Sequence, residues 1–328
     1  MRVRIRDVAE AANVDPSTVS RILANPSGRP TQTRKRVMAT VEALGYVPNL
    51  LARSLSADEA PIVPLLVPDV TNWFFAEIAR GAEEAARRAG YSLVLCNTER
   101  DPERGRKYLQ SLASFRVPFA IVAPDSEASG AAIREFAAHT LVVVIDRLVE
   151  GLDLPSATVD NVLGGRLATQ HLVDLGHRSI VCVAGPADTS TARERTEGYL
   201  QVVTAAGLLH HVIQGGFTTK DGVRAASEYL RLAERPTAAV CANDLCALGF
   251  VHELERSGLR VPTDLSVVGY DDLAFAAYFR PGLTSIQQPA RRLGALAMKL
   301  ALDARAGISA PPRRLRPRLV VRESTASI

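Results

Sequence analysis

Asp7-Val-Ala-Glu-Ala-Ala-Asn-Val-Asp-Pro-Ser-Thr-Val-Ser-Arg-Ile-Leu23 reads as a helix, a tight turn and a second helix. Val8, Ala9 and Ala12 give the first helix a narrow apolar face of small residues, which lets another helix cross closely. Asn13 tolerates the left-handed backbone that a sharp turn demands. Asp15 is an N-cap, and Pro16 stands at the first helical position, where its missing N–H costs nothing. The second helix turns Val19, Ile22 and Leu23 to one side and Ser17, Thr18, Ser20 and Arg21 to the other. Short hydroxyls and one long cation suit the base edges and phosphates of a DNA major groove, where arginine can bridge guanine O6 and N7. The competing reading is a small helical bundle with solvated polar faces.

Charge placement favours the DNA reading. Residues 1–57 hold nine Lys/Arg against four Asp/Glu, whereas the other 271 hold 30 against 31. The basicity, and with it a polyanionic partner, belongs to the N-terminal segment. No apolar run approaches the roughly 18 residues of a membrane span, and Arg alternates with Val and Ile at the N-terminus, unlike a signal peptide, so a cytoplasmic protein is expected. Cys96, Cys182, Cys241 and Cys246 lack zinc spacing and read as reduced, buried small hydrophobes. Neither a metal nor a cofactor is expected.

Beyond Leu23, Asn25-Pro-Ser-Gly-Arg-Pro30 is a loop, and Thr31 can cap a third helix to about Leu44 with Val37, Val41 and Leu44 facing the first two. Arg34, Lys35 and Arg36 can lie along phosphates, or remain solvated. Gly45 to Asn49 ends that helix. Leu50-Leu-Ala-Arg-Ser-Leu-Ser56 has helical spacing but is too short to be stable alone.

These residues carry a resemblance. DVAxxAxVxxxTVSRxL, followed by TRxxVxxxxxxLGYxPNxxARSL, is similar to the lactose repressor (LacI/GalR) family of bacterial transcription regulators, and the similarity continues through the chain. The resemblance implies that Pro16, Ser17 and Arg21 are base-contacting positions. It also implies that residues 50–56 form a hinge helix folding on operator DNA, with Asn49 and Ala52 in the DNA-binding set and Leu55 as a wedge between central base pairs. Leu55 could instead be plain packing. The expected division is a helix-turn-helix domain at 1–45, a hinge and linker at 46–60, and a core at 61–328.

After Pro61 the pattern becomes strand-length apolar runs alternating with amphipathic stretches. Strands are expected at 62–67, 91–96, 119–123, 141–145, 179–184, 238–241, 265–270 and 314–321, with helices between them. This alternation argues parallel sheets covered on both faces, and the length argues two of them. The fold class is therefore an all-α helix-turn-helix domain plus an α/β core of two doubly wound parallel-sheet lobes, similar to type I periplasmic binding proteins. The lobes are expected at about 61–159 plus 289–318, and about 160–288 plus 319–328.

Polar residues stand where the apolar runs stop: Asp69 and Asn72, Asn97, Asp146 and Arg147, Asn243 and Asp244, Asp271 and Asp272. Ligands of open parallel sheets bind at the carboxyl ends of strands. Paired carboxylates and amides suit vicinal hydroxyls, and Phe74, Phe75 and Phe217 can cover an apolar ring face, so a small polyhydroxylated molecule such as a sugar fits best. The resemblance sharpens this to an effector cleft holding Asn72, Phe74, Phe75, Asp146, Arg147, Asp160, Arg195, Phe217, Asn243 and Asp271. Taken singly, each carboxylate could equally be a strand-end or helix cap.

Several positions depart from the family pattern. Arg4 and Asp15 replace the usual caps of the first two helices, and Pro30 occupies another cap position. Pro64 within the first core strand suggests an edge or a bulge. Trp73 replaces a proline beside the cleft, and Thr189 stands where purine-responsive relatives carry arginine, which argues mildly against a purine. Catalytic and nucleotide-binding motifs are missing, and His210-His211 reads as surface loop. The expected function is a homodimeric, ligand-responsive repressor on a pseudo-palindromic operator, with no enzymatic activity. The alternatives are a nucleoside or purine co-repressor and, from another class, a sugar-binding transport protein, which residues 1–56 contradict.

Overall fold

In a computed structural model, residues 3–24, 29–46 and 60–328 are described. The hinge residues Asn49, Ala52 and Leu55 and most of the loop after Leu23 lie outside them. The chain divides into an N-terminal unit and a core.

The N-terminal unit has three helices: α1 (Ile5–Ala11), α2 (Pro16–Ala24) and α3 (Gln32–Ala43). Val8, Ala9, Ala12, Val19, Leu23 and Val37 form its buried core. Asn13 sits at φ +47°, the left-handed turn its side chain suits. Asp15 Oδ1 accepts from Ser17 N at 2.8 Å, and Thr31 Oγ1 accepts from Arg34 N at 3.2 Å, satisfying helix-end donors. At the unusual Arg4 the backbone N–H instead donates to Asp7 Oδ2 at 2.7 Å. Leu44, expected in the apolar stripe of α3, is exposed, because it is already the C-cap.

The core holds two six-stranded sheets. In the first lobe, β1 (Ile62–Val67), α4 (Trp73–Arg88), β2 (Ser92–Asn97), α5 (Pro102–Ala113), β3 (Phe119–Val122), α6 (Gly130–Ala137), β4 (Leu141–Ile145) and β5 (Ser156–Val159) follow in order. In the second come α7 (Asn161–Asp174), β6 (Ile180–Ala184), α8 (Ser190–Ala205), β7 (His210–Gln214), α9 (Thr219–Tyr229), β8 (Ala238–Cys241), α10 (Asp244–Arg256), β9 (Ser266–Asp271) and β10 (Thr284–Gln287). The chain then crosses back through α11 (Ala290–Arg305), which packs on α4, to β11 (Arg313–Leu315), and returns as β12 (Arg318–Val320). The sheet orders are β11-β5-β4-β3-β1-β2 and β12-β10-β9-β8-β6-β7, parallel except for β12 on β10. In each, the winding direction reverses beside the first strand, which is where open sheets leave a crevice at their carboxyl ends.

Four local expectations are corrected. The run 314–321 is two strands, one in each sheet, with Arg316 and Pro317 between them. His210 and His211 open the edge strand β7 rather than a loop. The strands β5, β7 and β10 were unexpected because they are polar. In β10, for example, the buried Ser285 hydroxyl donates to Asp244 Oδ1 at 2.6 Å, and Thr284 Oγ1 accepts from Arg322 N at 2.9 Å. Pro64 lies in an interior strand without a bulge. Leu66 O accepts from Ala123 N on the β3 side, so Pro64, two residues back, faces that side too, and the β1–β3 register begins only at Leu65. Its missing donor falls before that ladder starts.

Candidate functional site

The α2 face in the N-terminal unit is the first site. Pro16, Ser17 and Arg21 are exposed, Thr18 and Ser20 are half-buried, and Val19 and Leu23 are buried beneath. Of the three cations opening α3, two bond the bundle itself: Arg36 Nε donates to Ala12 O at 2.8 Å, and an Arg34 Nη to Ile22 O at 3.4 Å. Each covers a carbonyl at a helix C-terminus, where a cation is favoured. Lys35 remains exposed.

The second site lies inside the core, where strand ends of both lobes converge. Asp146, just past β4, is buried at φ +68° with Arg147 beside it, Arg147 Nε lying 3.5 Å from Asp146 Oδ2. Arg147 donates to the carbonyls of Asp125 at 2.8 Å and Pro124 at 3.2 Å. Its guanidinium stands 5.9 Å from the Phe75 ring of the first lobe and 5.3 Å from Phe217 of the second. Arg195 on α8 donates from Nε to Asn161 Oδ1 at 2.9 Å and from Nη1 to Ala242 O at 2.6 Å. It also stacks 3.7 Å over Tyr270 and reaches within 3.9 Å of Asp271 Oδ1. The close crossing of α7 and α8 makes this possible. A Cβ on Gly165 would lie 2.2 Å from Arg195 O, and one on Gly198 2.2 Å from Val162 O.

Burial sets the electrostatics. It raises the Asp146 carboxyl against the opposing pull of Arg147 and Arg195, and pushes Asp271 up to about 7 against the pull of Arg195. Asp271 sits at φ +109°, a conformation non-glycine residues rarely hold, and accepts from Gln288 Nε2 at 2.7 Å. A cavity of about 460 Å³ adjoins it, bounded also by Phe74, Ala76, Gln288 and Ala290.

Asp146, Arg147, Arg195, Phe217, Phe75 and Asp271 are thus brought together. Others serve as caps. Asn72 Oδ1 accepts from Phe74 N at 3.0 Å, and the half-buried Asp160 accepts from Leu163 N at 3.0 Å. Asn243 accepts from Cys246 N at 2.8 Å and donates to Phe217 O at 3.1 Å. Phe74 is buried in the first lobe's core, reaching the cavity along one wall.

Comparisons with known proteins identify the chain's family. Residues 4–49 match "Bacterial regulatory proteins, lacI family", and residues 169–325 match "Periplasmic binding protein-like domain". The chain is 37% identical over 332 residues to the HTH-type transcriptional repressor PurR of Photobacterium profundum, covering 99% of each. The solved Lac repressor dimer bound to operator and the anti-inducer ONPF matches with a TM-score of 0.90 at 28% identity, over the full length of both chains. The chain belongs to the lacI family. It is a DNA-binding repressor of that family, with a helix-turn-helix domain ahead of a periplasmic-binding-protein-like core. A transcriptional regulator CelR in complex with cellobiose also matches, with 31% identity and a TM-score of 0.75 over 98% of this chain and 100% of that one.

Within this lacI-family core, two cleft residues, Asp125 and Gln288, went unread. Asp125, past β3, is buried, its carboxyl raised by burial and bonded by the Thr98 hydroxyl; the strand-end rule would have found it. Gln288 follows β10, a strand the sequence did not reveal. Asn161, which the family resemblance places at the cleft beside Asp160, accepts from both Arg195 and the Tyr270 hydroxyl, the latter at 3.2 Å. Asp244, grouped with Asn243 by sequence, is fully buried and holds Leu273 N at 2.7 Å and Ser285, a structural role. The four cysteines are free and buried, and burial pushes the Cys182 and Cys246 thiols up to about 12. Among the described residues no helix is long and apolar enough to cross a membrane.

Proposed function

We propose that this repressor binds a pseudo-palindromic operator as a homodimer through Pro16, Ser17, Thr18, Ser20 and Arg21, and that a small effector between the core lobes sets its affinity. Asn49, Ala52 and Leu55 complete the DNA contacts in this reading, and the chain regulates rather than catalyses. The observation that carries it is the convergence of Asp146 and Arg147 from one lobe with Arg195, Phe217 and Asp271 from the other. A ligand touching both sets binds the closed arrangement better than the open one, which is the differential affinity a switch requires.

Two effector classes have support. Similarity to the PurR repressors favours the reading ranked second by sequence, a purine or nucleoside. A sugar keeps support from the Asp146-Arg147 pair, which resembles the pair of sugar-responsive family members, from the cellobiose-bound neighbour, and from Thr189. The Thr189 hydroxyl is buried and committed to Pro186 O at 2.8 Å, so no long cation reaches a base from there. The test is fluorescence anisotropy of the full chain on an operator obtained by binding-site selection, titrated with purines, nucleosides and sugars. A shift in operator affinity of about 5- to 150-fold is expected with members of one class. Operator binding indifferent to every compound that calorimetry shows to bind would remove the coupling.

A further inference from the structure

We infer that the first turn of α8 and the loops after β3 and β4 form a latch across the interlobe cleft, centred on the Glu127–Arg193 ion pair. It holds the lips together and makes their opening depend on ionic strength. This goes beyond the proposed function: it concerns how the cleft opens, whichever effector enters it.

The lobes are joined by crossovers at 159–161, 287–290 and 315–318. The strands at these crossovers, β5 and β11 in the first sheet and β10 and β12 in the second, lie together at one edge of their sheets. Glu127 and Leu148 instead follow β3 and β4, and α8 follows β6, all farther from that edge. A bond away from the pivots is stretched more by a given rotation of the lobes than one beside them.

There the lobes bond each other directly. Arg193 Nη2 donates to Glu127 Oε1 at 2.5 Å, Glu127 N to Asp188 O at 3.1 Å, and Leu148 N to Ser190 Oγ at 2.9 Å. Both members of the ion pair are also braced from their own lobe. Glu127 Oε2 accepts from Glu150 N at 3.0 Å, and Arg193 Nη1 donates to Ala187 O at 3.2 Å. Bracing reduces the side-chain entropy loss that ordinarily offsets a surface ion pair. Burial works against the Glu127 charge, but the Arg193 guanidinium and the Glu150 N–H outweigh it and hold the carboxyl below its ordinary value. The carboxylate therefore stays ionised near neutral pH, and salt rather than pH governs the pair. The Arg193 and Glu127 side chains are 48% and 32% exposed, open enough for ions to screen. Glu194, next along α8, pairs with Arg314 of β11 at 3.2 Å, beside a crossover. One turn of helix thus carries contacts that rotation parts and one that it spares.

The full-length protein, with no effector added, is followed by hydrogen exchange resolved to single amides. Glu127 N–H and Leu148 N–H close bonds between the lobes, whereas Ala123 N–H and Ala242 N–H bond within one lobe, to Leu66 O and Val183 O. Raising NaCl to about 1 M, where the Debye length is about 3 Å, is expected to speed exchange at Glu127 and Leu148 by about threefold relative to Ala123 and Ala242. Arg193→Met should produce the same change at low salt and abolish the salt response. Ser190→Ala should speed exchange at Glu127 as well as at Leu148. The latch is overturned if the bond that each substitution leaves intact, Leu148 in Arg193→Met and Glu127 in Ser190→Ala, exchanges at its original rate. Equal acceleration of all four amides, the mark of general loosening, overturns it too. Because no effector is used, either failure leaves the effector reading untouched.

Discussion

The recognition helix and the interlobe cluster present polar side chains in opposite ways. On α2 the polar residues are neighbours in sequence, and Pro16, Ser17 and Arg21 are exposed. In the cleft they come from strand ends over a hundred residues apart, are buried, and mostly bond the fold already. Arg195 bridges Asn161 and Ala242, and Arg147 holds the loop after β3. A surface reader can therefore change its specificity at little cost in stability. A buried sensor cannot, because each of its groups also closes a helix crossing or a strand end. The three cations that open α3 show the same divide within one turn: Arg34 and Arg36 bond carbonyls of the bundle, and Lys35 is left exposed.

The largest test of this contrast is Arg195→Met, which keeps most of the volume and removes the charge. Ala242 O and Asn161 Oδ1 lose a donor, and the raised Asp271 carboxyl loses its nearest cation. Breaking a buried, bonded charge typically costs about 3–5 kcal/mol, and urea unfolding should show a loss of that order together with abolished effector response. Unchanged stability with lost response would make the cleft as separable from the fold as the recognition helix.

Reading the sequence alone reached unevenly into the two regions. The N-terminal unit was legible because Asn13, Asp15, Pro16 and Thr31 act through local backbone chemistry, and local chemistry is written in adjacent residues. The two sheets were legible where strands are apolar on both faces, as in Val142–Ile145. They were not legible where polar strands are satisfied from afar: Ser156–Val159 pairs with β11, more than 150 residues on, and Thr284 and Ser285 are bonded by Arg322 and Asp244. The strand-end rule placed Asp146, Arg147 and Asp271 at the cleft, but could not say that Asn72, Asp160 and Asn243 would spend their side chains as caps.

Arg21→Ala probes the other half of the contrast. Its side chain is exposed on α2, so stability should stay within about 0.5 kcal/mol. Binding-site selection should show base preference relaxed at one position per half-site, worth about 1–3 kcal/mol if Arg21 reads a guanine. A stability loss like that of Arg195→Met would mean that the recognition face also supports the bundle.

The smallest effect is one of pH, and it arises where sensing and folding share a group. Asp271 is pushed up to about 7 by burial, from an ordinary value of 3.8. Between those two values the folded chain holds a proton that the unfolded chain has released, so this residue's contribution to stability falls as pH rises across the window and is flat outside it. Effector affinity should run the other way. A ligand hydroxyl or N–H donating to Asp271 needs the ionised carboxylate, so binding should strengthen from pH 6 to pH 8 by less than about tenfold. Asp271→Asn keeps the shape and an acceptor oxygen but cannot titrate, and calorimetry at the two pH values should find its slope flattened. A slope that survives in Asp271→Asn belongs to another buried group facing the cluster. Asp146 is the first to consider, since burial raises it too and both Arg147 and Arg195 oppose the rise.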